Sequence, residues 1–433
     1  MTPVEWCKAL AETLHYRRNT IISYKVPFYR PALSNVEIKE VISTLESGWL
    51  TTGPRTAKFE KNFAEMTGAT YPVALNSCTA ALHLAVESLG LHRGHAVVLP
   101  TMTFAATAEV VRYQGGTPIL VDCDEATLNV DLQDAERKLS DIGEYVQEEL
   151  TEAPIVVGIM PVHVGGFMAD IDLLKAFAAR HSLWIVEDAA HAFPAAWRPS
   201  EAAGWQRCGE GTANVSCFSF YANKTITTGE GGMAVTNDPE LADRMRLMSL
   251  HGLSKDAWSR YSGDGSWDYK IVAPGYKYNM TDIAAAIGIH QLARAEDMRK
   301  GREKVAHRYM EEFSSLDEIE LPPEDVNRIH SWHLFPIRLR LESLRIDRNA
   351  FMEQLKARGV GCSVHWRPLH LHPYYQETFG WKPEHCPVAT RVWERLISLP
   401  IFSDMRDEEI DHVISAVTEL CHENAGSLMT SRS

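Results

Sequence analysis

The 433-residue chain has no apolar run approaching the ~20 residues that a membrane-spanning helix needs. Its first residues, MTPVEWCKALAETLHYRRNT, lack the succession of basic, apolar and small-residue segments that marks a secretory leader. The expectation is a cytoplasmic protein with no membrane partner. None of its eight cysteines (Cys7, Cys78, Cys123, Cys208, Cys217, Cys362, Cys386, Cys421) falls in a C-x-x-C pair, which argues against a zinc cage or a disulfide framework and for reduced thiols. Positive charge is short as well: 43 Lys+Arg against 57 Asp+Glu leave a net −14, which speaks against nucleic acid as a partner. A small anion in a local basic pocket stays allowed. Internal repeats and low-complexity linkers are missing too.

What is present is an ordinary folded composition, 45% hydrophobic and 23% charged, in a chain long enough for two or three domains. From about Tyr71 to Asn237 short β-branched runs alternate with helical patterns, the signature of an α/β protein with a mostly parallel sheet. Leu82, Ala85, Val86 and Leu89 follow an i, i+3, i+4, i+7 stripe that stops at Gly90, so 79–89 reads as a helix. Strands are expected at 96–100, 118–124, 155–163, 184–190, 217–221 and 232–237, with a helix from Ile171 to His181 capped by Asp170. Near Thr281 a long helical pattern without strand interruption begins, and it reads as the bridge into a smaller α+β unit. The expected division is an N-terminal extension over 1–27, a large domain over 28–290 and a small C-terminal domain over 291–433.

A pyridoxal phosphate (PLP) enzyme needs a lysine for the Schiff base, a carboxylate for the pyridine nitrogen, a surface for the ring and donors for the phosphate. Candidates for all of them fall in loops expected at the C-terminal ends of the strands. In CFSFYANKTITTGEGGMAVTND a strand gives way to a polar loop, and Lys224 follows Ser219, itself placed to reach a phosphate. A single lysine is usually a solvated surface group. The aromatic strand before this one and Gly229, Gly231 and Gly232 after it set it apart, since glycine allows positive φ and close backbone approach. Asp188 ends an apolar strand, where an unpartnered carboxylate is costly and a protonated pyridine nitrogen is a fitting partner; a helix N-cap is the plainer alternative. His191 is either a contact to the ring or its phenolic oxygen, or a structural histidine. Ser77, Cys78 and Thr79 open a helix whose free N–H groups and dipole favour an anion, and Phe104 is a stacking surface or a core aromatic.

In chain order, SGWLTTGPRTAKFE, NSCTAALHLA, PTMTFAAT, VHVGGFMADID, VEDAAHAF, SFYANKTITTGEGG, PGYKYNMTDIAAAIGIHQL and HWRPLHLHPYY resemble the DegT/DnrJ/EryC1/StrS family of PLP-dependent sugar aminotransferases. The resemblance runs from about Val26 to the C-terminal helix. HGLSKDAWSR, GYKYNMTDIAAAIGIHQL and SLPIFSDM are most similar to the UDP-4-amino-4-deoxy-L-arabinose aminotransferase subgroup, which aminates a UDP-4-keto-pentose.

This resemblance implies the fold-type-I transferase architecture, with a seven-stranded mixed sheet, in a homodimer whose sites are completed by the neighbouring subunit. It implies Lys224 as the Schiff-base lysine, Asp188 as the pyridine partner, His191 as a ring contact, Thr79 and Ser219 as phosphate ligands, and Phe104 in the stacking position. Cys78 stands where many members have glycine and keeps the backbone donor. The family's G-Y-N-x-R, whose asparagine reaches the partner subunit's phosphate, reads G-Y-K-Y-N here, with Lys277 at that position and Asn279 two residues later. His365, Arg367 and His370 fall on the substrate side, and Trp49, Thr51, Thr52 and Gly53 on a wall of the sugar-nucleotide pocket; no metal site is expected.

The activity so implied is a ping-pong transfer from L-glutamate to a nucleotide-linked keto-sugar, a 4-keto sugar, with PLP cycling through pyridoxamine phosphate (PMP). Lysine rather than histidine at 224 speaks against the family's dehydratases. An aminotransferase acting on a keto-cyclitol or another small ketone and a non-catalytic PLP-binding regulator are the other readings.

Overall fold

The computed structural model describes residues 25–145, 153–253 and 270–426. Residues 1–24 of the expected extension, and HGLSKDAWSR from Ser254 onward, lie outside the described residues. The strands are β1 (Tyr71–Leu75), β2 (His95–Pro100), β3 (Thr117–Val121), β4 (Ile155–Ile159), β5 (Trp184–Asp188), β6 (Ala196–Trp197), β7 (Gln206–Arg207), β8 (Val215–Ser219), β9 (Gly232–Thr236), β10 (Ile319–Glu320), β11 (Arg328–Ile329), β12 (Phe335–Leu339) and β13 (Leu396–Leu399).

The central sheet has seven strands in the order β1-β9-β8-β5-β4-β2-β3. Neighbours from β8 to β3 are parallel, whereas β9 runs antiparallel to both β8 and β1. The mostly parallel mixed sheet is thus the one expected. Side chains alternate across it. On one face Val73, Leu75, Val215, Cys217 and Ala234 pack against Leu82, Leu84 and Val86 of the helix Cys78–Ser88. On the other, Ala74, Phe218, Met233 and Val235 pack with Phe59, Phe63 and Met280. Burial on both faces is why these strands read as continuous apolar runs.

The long helical pattern after Thr281 is broken once, into Asp282–Ala293 and Ala295–Phe313, with Arg294 between them at φ −110°. At that joint the Arg294 guanidinium reaches Glu37 and the Ala32 carbonyl. Asp282 serves two helices: it lies in the first turn of its own and accepts N–H bonds from Gly53 (2.8 Å), Arg55 (3.1 Å) and Thr56 (2.9 Å) at the start of the helix Pro54–Thr67. A carboxylate there offsets both helix dipoles.

A separate core forms around β10, β12 and β13, which make a three-stranded sheet, with Phe335, Ile337, Phe351, Leu355, Val413 and Leu420 at its centre. Val26 joins this core and bridges Val360. The chain then returns to the central sheet, because Leu369, Tyr375, Phe379 and Trp381 pack in the same core as Leu82. Asp122 accepts from the Val388 and Ala389 N–H groups (2.8 and 2.7 Å), and buried Lys138 donates to the Leu120 and His385 carbonyls (3.0 and 2.8 Å). No helix among the described residues is long and apolar enough to cross a membrane.

Candidate active site

At the C-terminal ends of β5 and β8 a cavity of about 560 Å³ is lined by Ser77, Cys78, Thr79, Phe104, Asp188, His191, Ser219, Lys224, His333, His365 and Trp366, among others. Loops converge there because parallel strands all end on one side. The helix Cys78–Ser88 opens into it, N-capped by the Ser77 side chain, which accepts from Ala80 N–H. The N–H groups of Cys78 and Thr79 lie in the first turn, where no intrahelical acceptor exists. Cys78 begins the helix and is not among the residues at positive φ, so replacing glycine there costs nothing in backbone strain. The close approach is made instead by Gly232, where a Cβ would lie 2.3 Å from the Ser77 carbonyl.

Asp188, 5% exposed, has both oxygens engaged: Oδ2 accepts from Thr107 Oγ1 at 2.7 Å and Oδ1 from Ala190 N–H at 3.1 Å. Burial still holds its carboxyl above the usual range, against these two donors and the nearby Lys224 ammonium. Such a carboxylate calls for a cation on its cavity side. Glu187, facing the other way by strand alternation, is sequestered with Thr212 and Ser216 donating to its Oε2 (2.7 and 2.5 Å) and His163 Nε2 at 3.4 Å.

Burial pushes Lys224 down to about 8, with Cys78 and Asp188 pulling it up and Arg302 adding to the fall. His191 and His333 are driven well below their ordinary value by burial and then by Lys224, and His365 to about 4 by the same two causes. All three rings are therefore neutral near pH 7. His191 Nδ1 accepts from Gly165 N–H at 3.3 Å, which leaves its proton on Nε2 as a donor. Its ring stacks on Trp366, centroids 5.0 Å apart and planes at 18°. The glycine pair of VHVGGFMADID has a reason here: a Cβ on Gly166 (φ 97°) would lie 1.8 Å from Ser331 Oγ, which donates to the His191 carbonyl.

The cavity brings together Lys224, Asp188, His191, Ser219, Thr79, Cys78, Phe104 and His365. Phe104 is 60% exposed, an aromatic face left open to the cavity. His365 Nδ1 lies 2.9 Å from Ser398 Oγ. Other expected residues sit elsewhere. Trp49 and Asn279 line a second cavity of about 810 Å³ with Thr52, Gly53 and Arg246. Asn279 Nδ2 donates to Thr52 Oγ1 at 2.7 Å and Asn279 Oδ1 accepts from Lys277 Nζ at 2.6 Å, so the two candidates for the cross-subunit contact touch each other. Thr51 is exposed and offers its carbonyl to Asp282 N–H at 3.2 Å. Arg367 is exposed, bonded to the Leu371 carbonyl at 2.6 Å, with its guanidinium over the Trp393 ring. His370 does not reach the cavity wall: its turn is pinned to Thr101, and its two ring nitrogens meet the hydroxyls of Thr101 (2.7 Å) and Thr390 (2.8 Å) in the interior.

The sequence pattern does not single out Thr107, His333 or Trp366. Trp366 lies beside His365 in HWRPLHLHPYY and was within reach of that motif. Thr107 is one turn into a helix, and His333 opens what reads as a plain strand, so neither carries a local signal.

The site suits PLP on its own chemistry: a lysine amine, a buried carboxylate lacking a full counter-charge, free N–H groups at a helix start and an open aromatic face. The sequence profile of the DegT/DnrJ/EryC1/StrS aminotransferase family matches residues 31–418. An uncharacterized protein of Methanocaldococcus jannaschii is 43% identical, covering 92% of this chain and 98% of that protein. The spore coat polysaccharide biosynthesis protein SpsC of Bacillus subtilis is 41% identical, covering 91% and 97% respectively. Among solved structures, the putative sugar aminotransferase Spr1654 from Streptococcus pneumoniae in its PMP form superposes with a TM-score of 0.82 at 31% identity, over 95% of this chain and 100% of that one. The same protein has also been solved in a PLP form. Lys224, Asp188 and the open helix start at Cys78 thus stand in a chain that matches these proteins nearly end to end, and it belongs to the DegT/DnrJ/EryC1/StrS aminotransferase family as a PLP-dependent transaminase that cycles between PLP and PMP.

Proposed function

We propose that this transaminase moves an amino group from L-glutamate to a nucleotide-linked 4-keto sugar, by a ping-pong cycle in a homodimer. The observation that carries the reading is the single cavity that joins Lys224, Asp188, the 77–79 helix start and Phe104. Relatives named for sugar amination and for spore coat polysaccharide biosynthesis support a sugar as acceptor.

In this reading Lys224 holds the cofactor covalently and, once freed, carries the proton that the donor's α-carbon releases. Lowered from an ordinary 10.5 to about 8, the amine has a far larger neutral fraction near physiological pH than a surface lysine, and the neutral form is the one that acts as a base. Asp188 faces the pyridine nitrogen and keeps it protonated, with Thr107 fixing the carboxylate. Ser219 and the N–H groups of Cys78 and Thr79 take the phosphate, Phe104 faces the ring, and His191 Nε2–H serves the phenolic oxygen. Bound PLP supplies the electron sink that makes the donor's α-proton removable. His365 and Trp366 form the acceptor side of the cavity.

Two features support a site shared by two copies. Asn279 and Lys277 stand apart from their own chain's Lys224 cavity, as a contact meant for the partner subunit's phosphate would. The helix Asn35–Ser47 also exposes Ile38, Ile42 and Leu45 at i, i+4 and i+7, an apolar face suited to a second chain. By the same reading 28–290 is the cofactor-binding domain and 291–433 the smaller domain.

The test loads the enzyme with PMP and offers UDP- and dTDP-linked 4-keto sugars, keto-cyclitols and small keto acids in parallel. The reading expects loss of PMP absorbance with a nucleotide sugar and release of 2-oxoglutarate when glutamate restores PMP. Turnover with a cyclitol or a keto acid alone overturns it.

A further inference from the structure

The segment 330–334 is gripped more firmly than the start of a strand requires. Trp332 sits at φ 50°, a left-handed conformation that residues with a Cβ adopt rarely unless their surroundings impose it. Those surroundings are explicit. Trp332 N–H donates to His330 Nδ1 at 2.8 Å, and the two rings stack 3.9 Å apart at 8°. The Gly165 carbonyl accepts from the N–H groups of His333 (2.9 Å) and Leu334 (3.2 Å). Buried Arg302 donates through Nη1 to the carbonyls of Trp332 and His333, both at 3.3 Å, and through Nη2 to that of Asn223 at 3.4 Å. Asn223 precedes Lys224, so one guanidinium ties the lysine loop to the His333 segment.

The result is a histidine ring in the cavity wall, with Nε2 3.4 Å from Lys224 Nζ. Its Nδ1 is buried with no hydrogen-bond partner among the described residues. A neutral imidazole carries one ring proton. Placed on Nδ1, that proton is a buried donor without an acceptor, the rarer kind of orphan in folded proteins. Placed on Nε2 it faces Lys224 and leaves only an unpaired acceptor behind. An Nε2–H donates, and the only acceptor an amine offers is the lone pair of its neutral form.

We propose that His333 is a positioning residue that donates from Nε2–H to the Lys224 amine and so selects its neutral form in the cofactor-free and freed states. Other groups face the same amine. Cys78 and Asp188 favour the ammonium, Arg302 opposes it by like charge, and the neutral rings of His191 and His365 complete the surround. His333 acts with Arg302 against Cys78 and Asp188. The proposal rests on reading Lys224 as the working amine.

Competitive acetylation of the cofactor-free, full-length chain with acetic anhydride, followed by mass spectrometry of the Lys224 peptide across pH, reads that amine directly. Wild type is expected to titrate at about 8. His333→Phe fills the same space and keeps water out but has no ring nitrogen, and its midpoint is expected to move upward by roughly half to one pH unit. An unmoved midpoint means His333 only fills space, and a downward move means it accepts rather than donates; either overturns the proposal. If His333→Phe does not fold, His333→Ala is titrated with and without imidazole. Return of its raised midpoint toward wild type on adding imidazole supports the proposal, and no return overturns it. Because the labelling needs no bound cofactor, the discovery that another lysine carries PLP would defeat the functional reading and leave this result standing.

Discussion

Thr107 Oγ1 donates to Asp188 Oδ2 across 2.7 Å, and Thr103 Oγ1 lies 2.7 Å behind Thr107. The helix Ala105–Tyr113, which packs against β2, β3 and the helix Cys78–Ser88, therefore sets the orientation of the carboxylate at the end of β5. Thr107→Val keeps the shape but strips a donor from a buried oxygen, a loss of about 1–3 kcal/mol. Because Thr107 also draws the Asp188 carboxyl down toward its ionised form, its removal is expected to weaken PLP binding by about tenfold or more. A PLP titration of the variant that matches wild type would show that Asp188 needs no such support.

Gly232 is required by space. A Cβ there would lie 2.3 Å from the Ser77 carbonyl and 2.5 Å from Cys78 N, so Gly232→Ala must push β9 away from the helix start proposed to hold the phosphate. Overpacking of this kind costs about 1–3 kcal/mol. The expected outcome is a lower melting midpoint and weaker binding of both PLP and inorganic phosphate, measured by thermal melt and calorimetry. Cys78→Gly, at a helical position, is expected to retain binding.

Acid should loosen the contact between the helices Asn35–Ser47 and Asp282–Ala293. Burial would raise the Glu37 carboxyl, but hydrogen bonds from Ser34, Gln291 and Arg294 outweigh it and hold it at about 2 against an ordinary 4.5. Between those values the unfolded chain binds more protons, so this stability is present above pH 4.5 and is lost as pH falls through about 2. Glu37→Gln is expected to lower the melting midpoint near neutral pH and to flatten its decline in acid, on a scale of about 2–4 °C per kcal/mol. Parallel declines in the two proteins would place the acid sensitivity elsewhere, with Glu409 the next group to examine, since it too is held at about 2.

Much of this was legible in the order of residues. The alternation of apolar runs and helical stripes gives the mixed sheet, since strands buried on both faces have little freedom in composition. The expected helix ending at Leu89 and the observed Cys78–Ser88 differ only at their edges. The shared position of Lys224, Asp188 and Ser219 at one cavity was readable because Asp188 and Ser219 end strands visible in sequence and Lys224 lies in the loop after one of them. Thr107 and His333 were not, because their meaning depends on packing between segments 81 and 109 residues apart. His370 shows the converse: a motif places it near the substrate, while two threonine hydroxyls draw its ring into the interior. The joint at Arg294 is likewise a product of its long-range bond to Glu37, which no helical periodicity announces.

The central claim is that Lys224 carries the cofactor. Borohydride reduction of the PLP-loaded enzyme, followed by peptide mass mapping, tests it most directly. The account predicts the pyridoxyl phosphate mass on the peptide containing Lys224, and in Lys224→Ala neither that adduct nor release of 2-oxoglutarate from glutamate. An adduct on another lysine, or amino transfer that survives in Lys224→Ala, would contradict it.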